Sequence, residues 1–107
     1  MDYYKYALDI VLLTLLQERP MYGYELRQKI IDGSDGLIIP RLSAIYPVLY
    51  RLCNNGCVGT DEQRVGRRLR VYYYITDDGR RYLAAVNDGY RQFIDGLRKL
   101  LNRPCDK

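Results

Sequence analysis

The sequence contains no histidine and no tryptophan, one phenylalanine, two serines and three cysteines. Histidine is the commonest general base and a leading metal ligand, so its absence excludes most hydrolase triads and zinc catalytic centres. A serine nucleophile would have only Ser34 and Ser43 to draw on, and no phosphate-cradling glycine motif accompanies them. Neither an enzyme nor a cofactor nor a bound metal is expected. Cys53, Cys57 and Cys105 form an odd set, too sparse for a disulfide scaffold, and point to a reducing cytoplasm. Two readings of Cys53 and Cys57 stay open, inert buried thiols or a redox switch, and the lack of a clear activating charge favours the first. The longest mostly apolar run, residues 7–16, falls short of the ~18 residues that span a bilayer. Residues 1–6 are acidic and aromatic and lack the basic start of a secretory signal, so no membrane contact is expected.

What is present suits one compact domain: 107 residues, 48% hydrophobic and 28% charged. The net charge of +4 is unevenly spread. Residues 1–40 carry 4 basic and 6 acidic groups (net −2), residues 41–81 carry 8 and 4 (net +4), and residues 82–107 carry 5 and 3 (net +2). Every basic residue in the middle segment is arginine, whose planar fork suits phosphate and guanine edges better than lysine does. An anionic partner follows.

Hydrophobic periodicity divides the chain into a short series of elements. Residues 4–17 are apolar on more than one face and predict a first helix that is either central or at an interface. Arg19-Pro20 interrupts it, and a second helix is expected to begin near Met21, with Tyr22, Leu26 and Ile30 on one stripe and Gly23 offering a place for close approach. Gly33-Ser34-Asp35-Gly36 ends that helix. Ser43 is the expected N-cap of a third helix over residues 44–54, with Pro47 tolerated near its start. Ile45, Val48, Leu49 and Leu52 share its core face, and Asn54-Asn55-Gly56 stops it.

Residues 57–62 and 69–75 then read as two strands joined by a basic turn, Arg64-Val65-Gly66-Arg67-Arg68. Thr76 caps a last helix, with Asp77 and Asp78 favourably placed in its first turn. Along that helix Leu83, Val86, Tyr90, Phe93, Leu97 and Leu100 alternate at spacings of three and four, the signature of a coiled-coil seam. The expected fold is mainly α with a small β-hairpin. It is a winged helix-turn-helix over residues 1–76, followed by a dimerisation helix over residues 77–107. A third helix of major-groove width and a basic hairpin able to reach flanking phosphates or the minor groove suit double-stranded DNA.

Four stretches in this order resemble the PadR-like family of bacterial transcriptional regulators. Pro20-Met21-Tyr22-Gly23-Tyr24-Glu25-Leu26 resembles the opening of the family's second helix, and Ala44-Ile45-Tyr46-Pro47-Val48-Leu49-Tyr50-Arg51-Leu52 its DNA-reading third helix. Asn55-Gly56-Cys57-Val58 resembles the turn into the wing, and residues 67–74 followed by Ile75-Thr76-Asp77-Asp78-Gly79 the exit from it. Ser43-Ala44 departs from the Gly-Thr pair common in the family, and the single C-terminal helix matches its short subgroup. The resemblance implies a homodimeric repressor whose C-terminal and first helices form the dimer surface.

The candidate DNA contacts are Tyr22, Arg41, Ser43, Tyr46, Arg51, Arg64, Arg67, Arg68 and Arg70. Each has a plainer alternative: tyrosines packed in a tight helical head, arginines that only solubilise a hairpin tip. Four arginines within seven positions exceed what solubility needs. For Tyr72, Tyr73 and Tyr74 a stacking platform for single strands competes with packing of the wing, and strand alternation favours packing, with Tyr73 facing opposite to its neighbours. The dimer surface is expected from Leu8, Val11, Leu12, Leu15, Val86, Tyr90, Phe93, Ile94, Leu97, Leu100 and Leu101. A homodimer would read a near-palindromic operator with half-sites about 34 Å apart. The resemblance also implies a small aromatic or apolar effector, held here by Tyr or Phe93 at the dimer region, which would act by favouring one arrangement of the two heads. A winged-helix protein-interaction module without sequence-specific DNA binding is the alternative function.

Overall fold

The structure, a computed structural model, describes residues 6–104. Its order is α1 (Ala7–Leu16), α2 (Gly23–Gly33), α3 (Leu42–Asn54), β1 (Val58–Val65), β2 (Arg68–Ile75) and α4 (Asp77–Leu101). The expected start of the first helix at residues 4 and 5, and Cys105, lie outside the described residues. α1 is the centre of the head because it is apolar nearly all round: Leu12, Leu13 and Leu16 are buried, and α2, α3, β2 and α4 all pack on it. Leu26 of α2, Ile45, Leu49 and Leu52 of α3, Tyr73 of β2, and Leu83 and Val86 of α4 complete one core.

The segment before α2 departs from expectation. Met21 does not open the helix. Its main chain pairs with Tyr73 in both directions, Met21 N–H to Tyr73 C=O at 3.0 Å and Tyr73 N–H to Met21 C=O at 2.8 Å. Met21 thus acts as a one-residue third strand on the edge of β2, and α2 starts only at Gly23. The connection from α2 to α3 is held by Arg27, whose Nε donates to the Pro40 carbonyl at 2.9 Å, and by Ser34, whose Oγ accepts from Ile38 N–H at 3.0 Å.

Ser43 is not the cap of α3. The Arg41 carbonyl accepts from Ala44 N–H and Ile45 N–H, so the helix starts at Leu42 and Ser43 lies exposed in its first turn. Pro47 therefore sits a full turn inside the helix, where it removes the i→i−4 bond that the Ser43 carbonyl would otherwise accept.

The hairpin is longer and tighter than expected. Pairing runs from Val58↔Ile75 to Val65↔Arg68, leaving only Gly66 and Arg67 in the turn. Gly66 takes φ 63° at the first central position, the left-handed geometry that closes a two-residue hairpin without splaying twisted strands. Arg64 and Arg68 consequently belong to the strands rather than to a basic loop. Tyr73 is buried while Tyr74 is exposed and Tyr72 half-buried, in keeping with strand alternation.

Thr76 fastens the base of the wing to α4: its Oγ1 donates to the Gly56 carbonyl at 2.6 Å and accepts from Gly79 N–H at 3.0 Å. Gly79 is required there, because a Cβ would collide with the Cys57 carbonyl oxygen. α4 then leaves the head. Leu83 and Val86 belong to the core, but every residue from 91 to 101 is exposed, including Ile94, Leu97, Leu100 and Leu101. The molecule is correspondingly elongated, 63 × 28 × 21 Å.

Candidate nucleic-acid interface

A groove of about 630 Å³ runs between the wing and the helical head. One wall is β2 from Arg68 to Val71, together with Tyr73; the other is the start of α2 and the outer face of α3, with Tyr22, Tyr24, Tyr46 and Tyr50. Five tyrosines and two arginines line it, and no carboxylate does. This supplies hydroxyl donors and positive charge on a surface where an anion meets no repulsion.

Tyr46 sets the shape of the groove floor. Its hydroxyl end lies over Gly23, in the space a Cβ would occupy, and its ring stacks on Tyr50 at 6.1 Å between centroids. The close approach at Gly23 is thus made by an α3 side chain. Burial, then the neighbouring Tyr50 and Tyr24, push the Tyr46 hydroxyl above its ordinary pKa, and burial pushes Tyr73 up to about 12. Both phenols remain neutral hydrogen-bond donors at physiological pH. Tyr24 and Tyr50 are 63% and 56% exposed at the mouth of the groove. Tyr24 was not among the expected contacts, although it lies inside the stretch that opens α2. Arg41 and Ser43 are exposed at the start of α3, and Arg64, Arg67 and Arg68 are exposed at the tip of the wing.

Arg51 belongs elsewhere. Its Nη1 and Nη2 donate to both Asp9 oxygens at 2.8 and 2.6 Å, a bidentate pair that joins α3 to α1. Asp9 is fully buried. The pair lies in a separate cleft with Tyr82 and Asn55, so Arg51, one of the expected DNA contacts, does not line the groove. The signal was present in the sequence: a lone carboxylate within an otherwise apolar helix must find a cation when it is buried. Arg70 and Tyr22, both half-buried, meet at the groove, the guanidinium centre lying 4.5 Å from the Tyr22 ring centroid.

Two of the expected dimer residues are already used. Leu12 is wholly buried and Val86 nearly so, both within the chain's own core. Leu8, Val11, Leu15 and Tyr90 are half-buried, while Phe93, Ile94, Leu97, Leu100 and Leu101 are exposed along α4. Leu8, Val11 and Tyr90 of the first group, together with Ile38 and Val48, line an apolar recess of about 420 Å³. Cys53 and Cys57 are free thiols pushed above their ordinary pKa by burial, with Asp78 and Asp9 adding to the effect at Cys57. Both are therefore poor thiolates. Among the described residues no cluster of three or more metal-binding side chains occurs, and no helix is long and apolar enough to cross a membrane.

Residues 12–85 match the family model described as the transcriptional regulator PadR-like family. The chain belongs to the PadR-like family. The matched span runs from the middle of α1 through the wing to the buried part of α4, and stops short of the exposed part. Among solved structures, a transcriptional regulator from Clostridium thermocellum is 26% identical with a TM-score of 0.81, covering 92% of this chain and 93% of its own. A PadR family transcriptional regulator from Eggerthella lenta is 30% identical with a TM-score of 0.75, covering 95% and 87%. Bacillus subtilis PadR, solved in complex with operator DNA, shares the fold at 20% identity and a TM-score of 0.67, covering 94% of this chain and 50% of its own. The four helices and antiparallel hairpin are those of PadR-like winged-helix proteins, a family of transcriptional regulators and not of enzymes.

Proposed function

We propose that this PadR-like protein is a dimeric, sequence-specific DNA-binding repressor of the bacterial cytoplasm. The observation that carries the reading is the carboxylate-free groove of tyrosines and arginines between α3 and the wing. In this reading α3 enters the major groove, presenting Arg41, Ser43, Tyr46 and Tyr50, and Tyr24 stands beside it. Arg64, Arg67 and Arg68 grip flanking phosphates or the minor groove. A protein of the same fold, Bacillus subtilis PadR, was solved with operator DNA, which supports DNA as the partner.

Residues 1–76 serve as the reading head and residues 77–107 as the dimerisation helix. The exposed stripe of Ile94, Leu97, Leu100 and Leu101 pairs with the same stripe of a second copy, and with the half-buried Leu8, Val11 and Leu15 of α1. Two heads then read a near-palindromic operator with half-sites about 34 Å apart. A small aromatic or apolar effector enters the recess beside Tyr90, and shifts the heads only to the extent that it prefers one arrangement of them.

Selection from randomised duplex DNA at two salt concentrations tests the reading. The expected product is an inverted repeat with one-turn half-site spacing, bound more weakly at the higher salt. Salt-sensitive binding without an enriched motif would overturn sequence-specific regulation in favour of a protein-interaction module with a basic surface. For the dimer, Leu97→Glu is expected to give monomers in sedimentation with an unchanged head, and to weaken operator binding by about 100-fold through lost avidity. A Leu97→Glu dimer would place the interface elsewhere.

A further inference from the structure

We propose that Tyr22, Arg70 and Tyr72 form a clamp that fixes the angle of the wing to the reading helix, with Arg70 acting as a positioning residue and not as a phosphate contact. The proposal rests on the DNA-binding reading and assigns different work to arginines that share one hairpin.

A two-stranded hairpin is marginal by itself and takes its orientation from whatever holds it. This one is fastened at its base through Thr76 and Gly56, and halfway along by the Met21–Tyr73 main-chain pair. Beyond that pair every residue of both strands except Tyr72 and Arg70 is exposed, as far as Gly66 and Arg67. Arg67 and Arg68 lie five or six residues beyond Tyr73, about 16 Å at ~3.3 Å per residue. A tilt of roughly 10° about the Met21–Tyr73 pair would move them by about 3 Å, the length of a hydrogen bond. Holding the tip in register with phosphates before binding therefore calls for a brace on the outer side of that hinge.

Arg70 and Tyr72 are placed to be the brace. Two residues apart on β2, they share one face of the strand, and both meet the Tyr22 ring. Arg70 lies over the ring face at 4.5 Å, and Tyr72 meets Tyr22 edge-on at 5.5 Å between centroids with a 74° interplanar angle. The platform is itself anchored. Tyr22 adjoins the strand-paired Met21, its N–H donates to Glu25 Oε1 at 3.3 Å, and Glu25 Oε2 accepts from Arg19 at 2.8 Å. Arg70 is half-buried, whereas Arg64, Arg67 and Arg68 are exposed. A guanidinium seated on a ring has one face committed to that ring, so Arg70, although it lines the groove, is less free than the tip arginines to turn toward a phosphate.

The test uses the full chain, the duplex enriched by the wild type, and a salt titration. Arg70→Gln is expected to weaken binding about five- to tenfold with the slope of log K against log salt unchanged, because Arg67 and Arg68 still reach their phosphates once bound and the loss is the cost of orienting an unbraced wing. Arg68→Ala should lower the slope by about 0.9. Tyr22→Phe keeps the ring and should bind as the wild type does. Tyr22→Leu should match Arg70→Gln, and the double variant should be no weaker than either single one. A slope loss of nearly one contact in Arg70→Gln, or weakened binding in Tyr22→Phe, would overturn the clamp and put these residues on DNA. Should Tyr22→Leu melt early, Arg70→Gln decides alone.

Hydrogen exchange reads the clamp without DNA. The amides of residues 68–73 should exchange faster in Arg70→Gln than in Arg68→Ala, and equal rates would overturn the proposal even where operator binding is intact. A wild type that enriches no duplex, with that exchange difference present, would mean that the DNA reading fails while the brace stands.

Discussion

The two sides of α3 carry similar chemistry to opposite ends. Toward α1, Arg51 meets Asp9 in a bidentate pair and the local charge cancels. Toward the wing, Tyr46 and Tyr50 face Arg68 across a groove with no carboxylate in its lining, and the positive charge stays available. An arginine on α3 is thus not free to meet an anion merely by virtue of its place in the chain. What decides is whether the fold brings a carboxylate within reach. The same contrast recurs on the wing, where Arg70 is spent on an aromatic ring and Arg67 and Arg68 project from the tip.

The comparison can be broken most forcefully at Asp9. Arg51→Ala leaves a fully buried carboxylate without its cation, and should destabilise the chain by about 3 kcal/mol, at the lower end for a buried pair because Arg51 is itself partly exposed. In a thermal melt that is a fall of roughly 12–24 °C. Replacing both partners by apolar residues, Asp9→Leu with Arg51→Met, should recover most of the loss. A melt unmoved by Arg51→Ala would show that the pair does not hold α3 to α1.

A smaller and different effect is expected at Gly23. Alanine there meets the hydroxyl end of Tyr46, a movable group, so the ring yields and the head keeps its stability to within about 1 kcal/mol. Operator affinity should nevertheless fall about tenfold as Tyr46 and the stacked Tyr50 shift, measured by titration of the enriched duplex. Wild-type affinity in Gly23→Ala would remove Tyr46 from the reading surface. The smallest effect on the fold belongs to Arg68→Ala, whose melt should stay within about 0.5 kcal/mol of wild type. The sharpest form of the contrast is therefore Arg51→Ala against Arg68→Ala: the first moves the melt, the second moves the salt slope.

Much of this architecture is legible in the chain before folding. The apolar α1, the three-four stripe of α4, the Gly66 turn and the Thr76 cap are local patterns, because periodicity and capping depend on neighbours a few residues away. The misread positions share another character. Ser43 looks like a cap, but the Arg41 carbonyl starts α3 one residue before it. Met21 looks like a helix start, but its N–H and C=O find Tyr73, more than fifty residues on. Leu12 and Val86 fit the dimer stripe by spacing, yet the head closes over them.

The sequence by itself determined the elements and their order, the arginine-rich wing and a last helix longer than its own head can cover. Those follow from side-chain period, turn chemistry and charge counted along the chain. Only the tertiary structure decided which arginines remain free to meet an anion. Asp9 and Arg51 are 42 residues apart, and Tyr22 and Arg70 farther still. A charge or a ring acts over a few ångströms, so partners distant in the chain are chosen by how α1, α2, α3 and β2 pack, and by nothing local to either residue.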